Sequence, residues 1–360
     1  MKTALSIGAA VALSLSLAAC GGAGNAAQVK QTSGLCGHTQ AQLNANPTLA
    51  SLIKGAEKEG QVDWGNGLQP EEAQPVITAF HKAFPCVTVE HSRIADDDSR
   101  AALLREMEAG RYSYDVMDIS GTQIPDYEKA GVVKKVDWRQ AFPKIQSVQL
   151  DPGSGALLSV GGSMKVVAYN TDKLQANQVP DTWQGFVDPA LSGKFVVDSK
   201  PKFLYDLIPA WGEQKVLQYA SQLASIKPKF ARGQAQEVQL LASGDVSMLL
   251  GTYYDDVAGA IAKGAPIAVR FLSPVPDSLE QETVLAGAKD PNSAILLLGW
   301  LATDGNKYYD QITHRGLPLP GFDTIEAKLV KGKPVSAYTV SFANKEDQYA
   351  KDVAKALGLS

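Results

Sequence analysis

Very little of this chain is built for metal or nucleic-acid chemistry. It has 4 histidines, widely scattered at His38, His81, His91 and His314, and 3 cysteines in 360 residues. No zinc-ligand spacing can be assembled from that set. Basic residues do not outnumber acidic ones (34 against 38, net charge −4), which argues against a nucleic-acid partner. There is no Walker loop, no G-x-S-x-G elbow and no H-E-x-x-H. The S-x-x-K pattern occurs at Ser51–Lys54 and again at Ser199–Lys202, in both cases without the K-T-G or S-D-N that would make it a hydrolase signature. Beyond the first twenty residues no apolar run reaches membrane-helix length, the longest candidate being AILLLGWLA at 294–302.

What is present begins with an export signal. Lys2 precedes an apolar stretch from Ala4 to Ala19, which reads as a secretory signal over 1–20. It ends Leu17-Ala18-Ala19-Cys20, a sequence similar to the bacterial lipobox, in which Cys20 takes a lipid and becomes the new N-terminus. GGAGNAA at 21–27 opens a flexible tether running to about residue 35. With Cys20 assigned to the lipid, Cys36 and Cys86 are left in an exported chain and are expected to pair. The location expected is extracytoplasmic, at the membrane surface.

The remainder is long enough for two domains. Its pattern alternates strand and helix. Helix is expected over 47–59 and from Glu71, where Val76, Ile77, Phe80 and Phe84 share a face. Strands are expected at 62–64, 87–90 and 115–119, with helices at 99–108 and 124–129. After a strand at 164–169 and the break Asn170-Thr171-Asp172, the alternation restarts. Strands follow at 194–198, 246–250 and 267–272, and helices at 213–225, 237–242, after 254, 294–302 and 345–357. This is an α/β chain of two units, each expected to have its own sheet, with a ligand cleft where the strand ends face each other.

Several stretches give the chain a family resemblance. They are WGNGLQPEEAQPVITAFHKAFP (64–85), YDVMDIS (114–120), VAYNTDKL with VPDTWQGFVDPALSGKF (167–195), LASGDVSMLLGTYY (241–254) and PNSAILLLGWLATDGNKYYDQ (291–311). Together they resemble the extracytoplasmic solute-binding proteins of ABC importers, in the branch that handles ferric iron, polyamines, thiamine and phosphonates. The resemblance implies two Rossmann-like lobes joined by two crossover strands, here near 163–169 and 266–272. Lobe one would hold 36–163 and a return segment 268–312, lobe two would hold 164–267, and 313–360 would form a C-terminal helical segment. It also implies a monomer that is no enzyme, closes on a solute, and docks on a permease with its ATPase. No cofactor is implied, though ferric iron with a synergistic anion is a conceivable cargo, as is a small organic anion. A sensor lobe for a signalling receptor and a secreted hydrolase are the rival classes.

The stretch Gly251-Thr252-Tyr253-Tyr254-Asp255-Asp256 carries the sharpest site expectation. At a helix start, neighbouring side chains diverge by about 100°, so both phenols could reach one cleft. Ferric-binding relatives use adjacent tyrosines here, which makes Tyr253 and Tyr254 candidate metal ligands. Thr252 and Asp255 fit a capping box, which assigns the carboxylates to structure. The resemblance places Gln69 and Thr122 where ferric members carry a histidine and a glutamate, and neither suits a hard trivalent ion. Asn66, Gly67, Ser120 and Gly121 follow strand ends in the first unit. Arg232, Lys200 and Lys202 would favour a negative solute such as a phosphonate. The run Asp96-Asp97-Asp98 could receive a polyamine, or cap the helix at Ser99.

Overall fold

A computed structural model describes residues 35–94, 96–121, 123–150, 155–343 and 345–359. The signal, Cys20, nearly all of the tether and Thr122 lie outside the described residues. No described helix is long and apolar enough to cross a membrane. Cys36 and Cys86 form a disulfide, with Cα atoms 5.1 Å apart.

The described residues form ten strands: β1 Gln61–Asn66, β2 Thr88–Arg93, β3 Val116–Ile119, β4 Leu157–Asn170, β5 Val196–Asp198, β6 Lys229–Ala231, β7 Met248–Tyr253, β8 Ile267–Arg270, β9 Val275–Val284 and β10 Val335–Tyr338. They run in the order β2-β1-β3-β9-β4-β7-β5-β6, with β8 on β4 and β10 on β9. The expectation of two separate sheets therefore changes. The fourteen-residue β4 belongs to both halves. Its residues 157–164 pair antiparallel with β9, and its residues 165–170 pair with β7 and β8. Within each half the other pairings are largely parallel (β1 with β2 and β3; β5 with β6 and β7), as the strand–helix alternation requires.

Helices cover both faces. In the first half Pro47–Glu59, Pro70–Ala83 and the apolar Pro291–Leu301 bury Ile53, Phe80 and Leu297 against Trp64 and Val62. The helix expected from Glu71 begins one residue earlier, at Pro70, so Pro75 lies inside it. In the second half Glu213–Ser225 lays Val216, Ala220 and Leu223 on a core with Trp183, Phe186 and Phe203. The final helix, Glu346–Ala356, adds Tyr349 and Val353 to that same core.

Candidate functional site

The site sits where β4 and β9 cross between the halves. A cavity of about 330 Å³ opens there. The first half contributes Asn66, Gly67, Arg100, Asp118, Ser120 and Gly121. The second contributes Lys202, Gln234, Tyr253 and Asp255. β9 supplies Ser278 through Glu282, and later segments supply Tyr309, Arg315, Tyr338 and Glu346. Gly121 matters for its size, because a Cβ there would lie 2.6 Å from Glu346 Oε2, across the cleft mouth.

Two bulges shape the floor. The β4–β7 register skips Gly251, which sits at φ 79° with its missing side chain pressed on Phe203. The strand therefore runs on through Tyr253, and the helix starts only at Tyr254. The two phenols straddle a strand–helix junction and separate. Tyr253 lines the cavity, its ring 4.3 Å from Lys165 Nζ. Tyr254 packs on Phe271 and His314 in an apolar cluster, so the adjacent tyrosines do not converge on one ion. The expected capping box is not formed either. Thr252 Oγ1 is buried with no partner among the described residues, and Asp255 instead accepts from Ser163 Oγ (2.8 Å) and Arg315 Nε (2.8 Å). The second bulge lies between Ser159 and Gly161 of β4. There Gly161 lets Arg315, Glu280 and Tyr309 approach to where a Cβ would stand.

The cavity's charges are mostly paired in place. Arg100 grips Asp118 through Nε (3.1 Å) and Nη2 (2.6 Å), a two-pronged geometry that gives charge-assisted bonds their strength. Arg315 joins Asp255 to Glu280, whose other oxygen accepts from the Tyr309 hydroxyl at 2.7 Å. The Glu280 charge, with Asp255, holds the Arg315 guanidinium firmly protonated. Lys202 pairs with Glu346 at 2.7 Å and lies over the Tyr205 and Tyr338 rings. Just beneath, the fully buried Lys165 meets Asp206 at 3.3 Å and donates to Ser163 O and to Ser278 Oγ. Asp277 is also fully buried and neither oxygen has a hydrogen-bond partner among the described residues; burial pushes it up to about 8 against the pull of Lys165. Glu282 accepts from Trp64 Nε1 at 2.8 Å and from Asn66 Nδ2 at 3.4 Å. Burial and then the Asp118 charge push it up to about 8.

Of the residues singled out in the sequence, Asn66, Gly67, Ser120, Gly121, Lys202 and Tyr253 line this cavity. Gln69, Lys200 and Arg232 do not. Gln69 starts the helix Pro70–Ala83, Lys200 folds back on Asp198, and Arg232 is exposed. Of the three basic residues expected to favour a negative solute, Lys202 lines the cavity, and it is paired there with Glu346. Asp96 caps the helix Asp97–Glu108 by accepting from the Ser99 N–H. No group of three or more His, Cys, Asp or Glu side chains among the described residues could hold a metal ion. Arg100, Asp118, Glu280, Glu282, Tyr309, Arg315 and Glu346 were not singled out, and Asp255 was expected only as a helix cap. Only the polar alternation of 277–282 carried a signal for any of them.

Solved structures with the same fold include iron-bound HitA from Pseudomonas aeruginosa (16% identity, TM-score 0.63, covering 83% of this chain and 99% of that one). The Bordetella ferric binding protein gives 18% identity and a TM-score of 0.65 over 83% and 99% of the two chains. A protein solved as a GABA receptor gives 16% and 0.60 over 82% and 97%. No curated protein matches the sequence. Residues 76–328 match the family described as Bacterial extracellular solute-binding protein, a family of binders rather than catalysts. With more than half of its length matched and the two-lobed fold in place, the chain belongs to the bacterial extracellular solute-binding proteins.

Proposed function

We propose that this chain is the solute-binding component of an ABC-type importer. It captures a small organic solute in the β4/β9 cleft and passes it to a membrane permease, leashed through a lipid on Cys20 and acting as a monomer. The observation that carries this reading is the cavity itself. It is lined by many charged and polar side chains, is walled by both halves, and has a volume of about 330 Å³, at the small end of the range for ligand sites. Its side chains are already fixed by one another, so little ordering cost remains for the solute. The strands β4 and β9 that form its floor would serve as the hinge on which the lobes close.

Ferric binding, the property named for two of the structural neighbours, is less well supported for this chain. Its adjacent tyrosines point to opposite sides of a strand–helix junction, and Gln69 lies outside the cavity. An organic solute with hydrogen-bond donors fits the lining better. Native mass spectrometry of the protein as purified, followed by a thermal-shift screen across ferric citrate, organic anions and organic amines, tests the reading. A ligand at one hundred times its Kd stabilises by about 2.7 kcal/mol. No stabilisation by any class, and no co-purifying small molecule, would remove the solute-binding role.

A further inference from the structure

The cavity is richer in carboxylates than in bases: Asp118, Asp255, Glu280, Glu282 and Glu346 face Arg100, Lys202 and Arg315. Four of the five have a basic partner within the site. Glu282 is the exception among the described residues. Its carboxylate, on a residue only 2% exposed, is met by two neutral donors, the Trp64 indole N–H and the Asn66 amide.

The reason lies in strand register. Ser278, Glu280 and Glu282 alternate along one face of β9. Lys165 serves the first and Arg315 the second. Antiparallel pairing sets Asp118 of β3 directly across from Glu282. Like charges in that position repel. Asp118 is neutralised by Arg100, but that guanidinium is spent on Asp118 and Asp97. From β2, His91 reaches only as far as Asn66 Oδ1 (2.9 Å) and the Trp64 ring. β9 itself adds two further acids, Glu280 on the same face and Asp277 on the other. So two carboxylates stand opposite one another with a single base between them.

We infer that Glu282 is the anchor for a protonated amine of the solute, and that the cleft selects a small organic cation. The inference rests on the cleft being the solute site. An ammonium donates to Glu282 and completes the charge balance opposite Asp118. Because burial and Asp118 raise Glu282 to about 8, the empty site near neutral pH holds the carboxylic acid. An incoming ammonium favours the carboxylate, so the exchange is R–NH₃⁺ plus –COOH giving R–NH₃⁺ against –COO⁻ plus one released H⁺. Amine binding then tightens as pH rises towards 8.

The test is isothermal titration calorimetry on the whole protein with putrescine, spermidine and γ-aminobutyrate as probes, at pH 7 in two buffers of different ionisation heat. At least one amine should bind with release of about 0.9 proton, the acid fraction at pH 7 of a group titrating at about 8. Its affinity should rise up to about tenfold per pH unit from 6 to 8. Glu282→Gln keeps an acceptor for Trp64, and should lose the proton release and at least about tenfold in affinity. Amine binding without proton release in the native protein would overturn the inference without needing the variant. So would a folded Glu282→Gln protein that binds as well as the native one. Binding of succinate, methylphosphonate or ferric citrate but of no amine would overturn it while leaving the cleft reading intact. Binding of none of these probes would sink both.

Discussion

Two buried acidic centres lie along β9, and they are balanced in different ways. At its start, Asp277 and Ser278 sit beside Lys165 and Asp206, so a buried lysine is built into the crossover of the halves. At its end, Glu282 sits beside Trp64, Asn66 and Asp118 with no base of its own among the described residues. Asp206, whose counter-charge Lys165 is internal, is a fixture of the fold. A carboxylate without a counter-charge carries a desolvation cost that only a proton or an incoming cation relieves. The first centre belongs to the floor on which the halves are joined, the second to the site that faces a guest.

The comparison breaks first at Lys165. Lys165→Met should destabilise the protein by about 3–5 kcal/mol, since it leaves Asp206 buried without its partner. Urea unfolding measures this, and a loss below about 1 kcal/mol would mean the floor is not held by that pair. A smaller effect is expected at Asp277, whose folded pKa is raised to about 8 from an ordinary 3.8. A raised folded value means the folded state holds its proton more tightly. Its contribution to stability is therefore fully present below about pH 4 and is lost as pH rises through 8. Asp277→Asn should unfold at a higher temperature relative to the native protein at pH 8.5 than at pH 5. A gap that does not grow with pH would show that Asp277 ionises normally. The smallest effect separates the adjacent phenols. Tyr253→Phe should weaken solute binding by up to about tenfold through one lost hydrogen bond. Tyr254→Phe, whose ring packs away from the cavity, should change it less than about twofold. Equal losses would put both phenols in the site.

Much of the fold was legible because its signals are apolar and periodic. The helix at 213–225 was expected at the limits observed, as Val216, Ala220 and Leu223 keep helical spacing. The strand β9 was missed for the opposite reason. Its sequence, Val-Pro-Asp-Ser-Leu-Glu-Gln-Glu-Thr-Val, puts charged and polar residues where a core strand would carry aliphatics. One of its faces lines a polar cavity, so the alternation is real but not hydrophobic. The extent of β4 was hidden by Gly161 and Gly162, which weaken a strand pattern and here admit Arg315 and Asp277. In the site, residues just after strand ends could be chosen by topology alone. Arg315 and Glu346 could not, because they reach the cleft from segments distant in sequence. Asp255 was assigned to helix capping because the bulge at Gly251, which moves the helix start, leaves no mark in local sequence beyond the glycine itself.

The central claim is that Glu282 faces the cleft without a counter-charge until a cation arrives. Carbon-13 NMR of the glutamate carboxyls, with Glu282 assigned by loss of its signal in Glu282→Gln, reads that directly. The account predicts a carboxyl that titrates near 8 in the empty protein and remains ionised from pH 6 to 9 with a saturating amine. A Glu282 carboxyl that titrates in the ordinary range near 4.5, and is indifferent to amines, would contradict it.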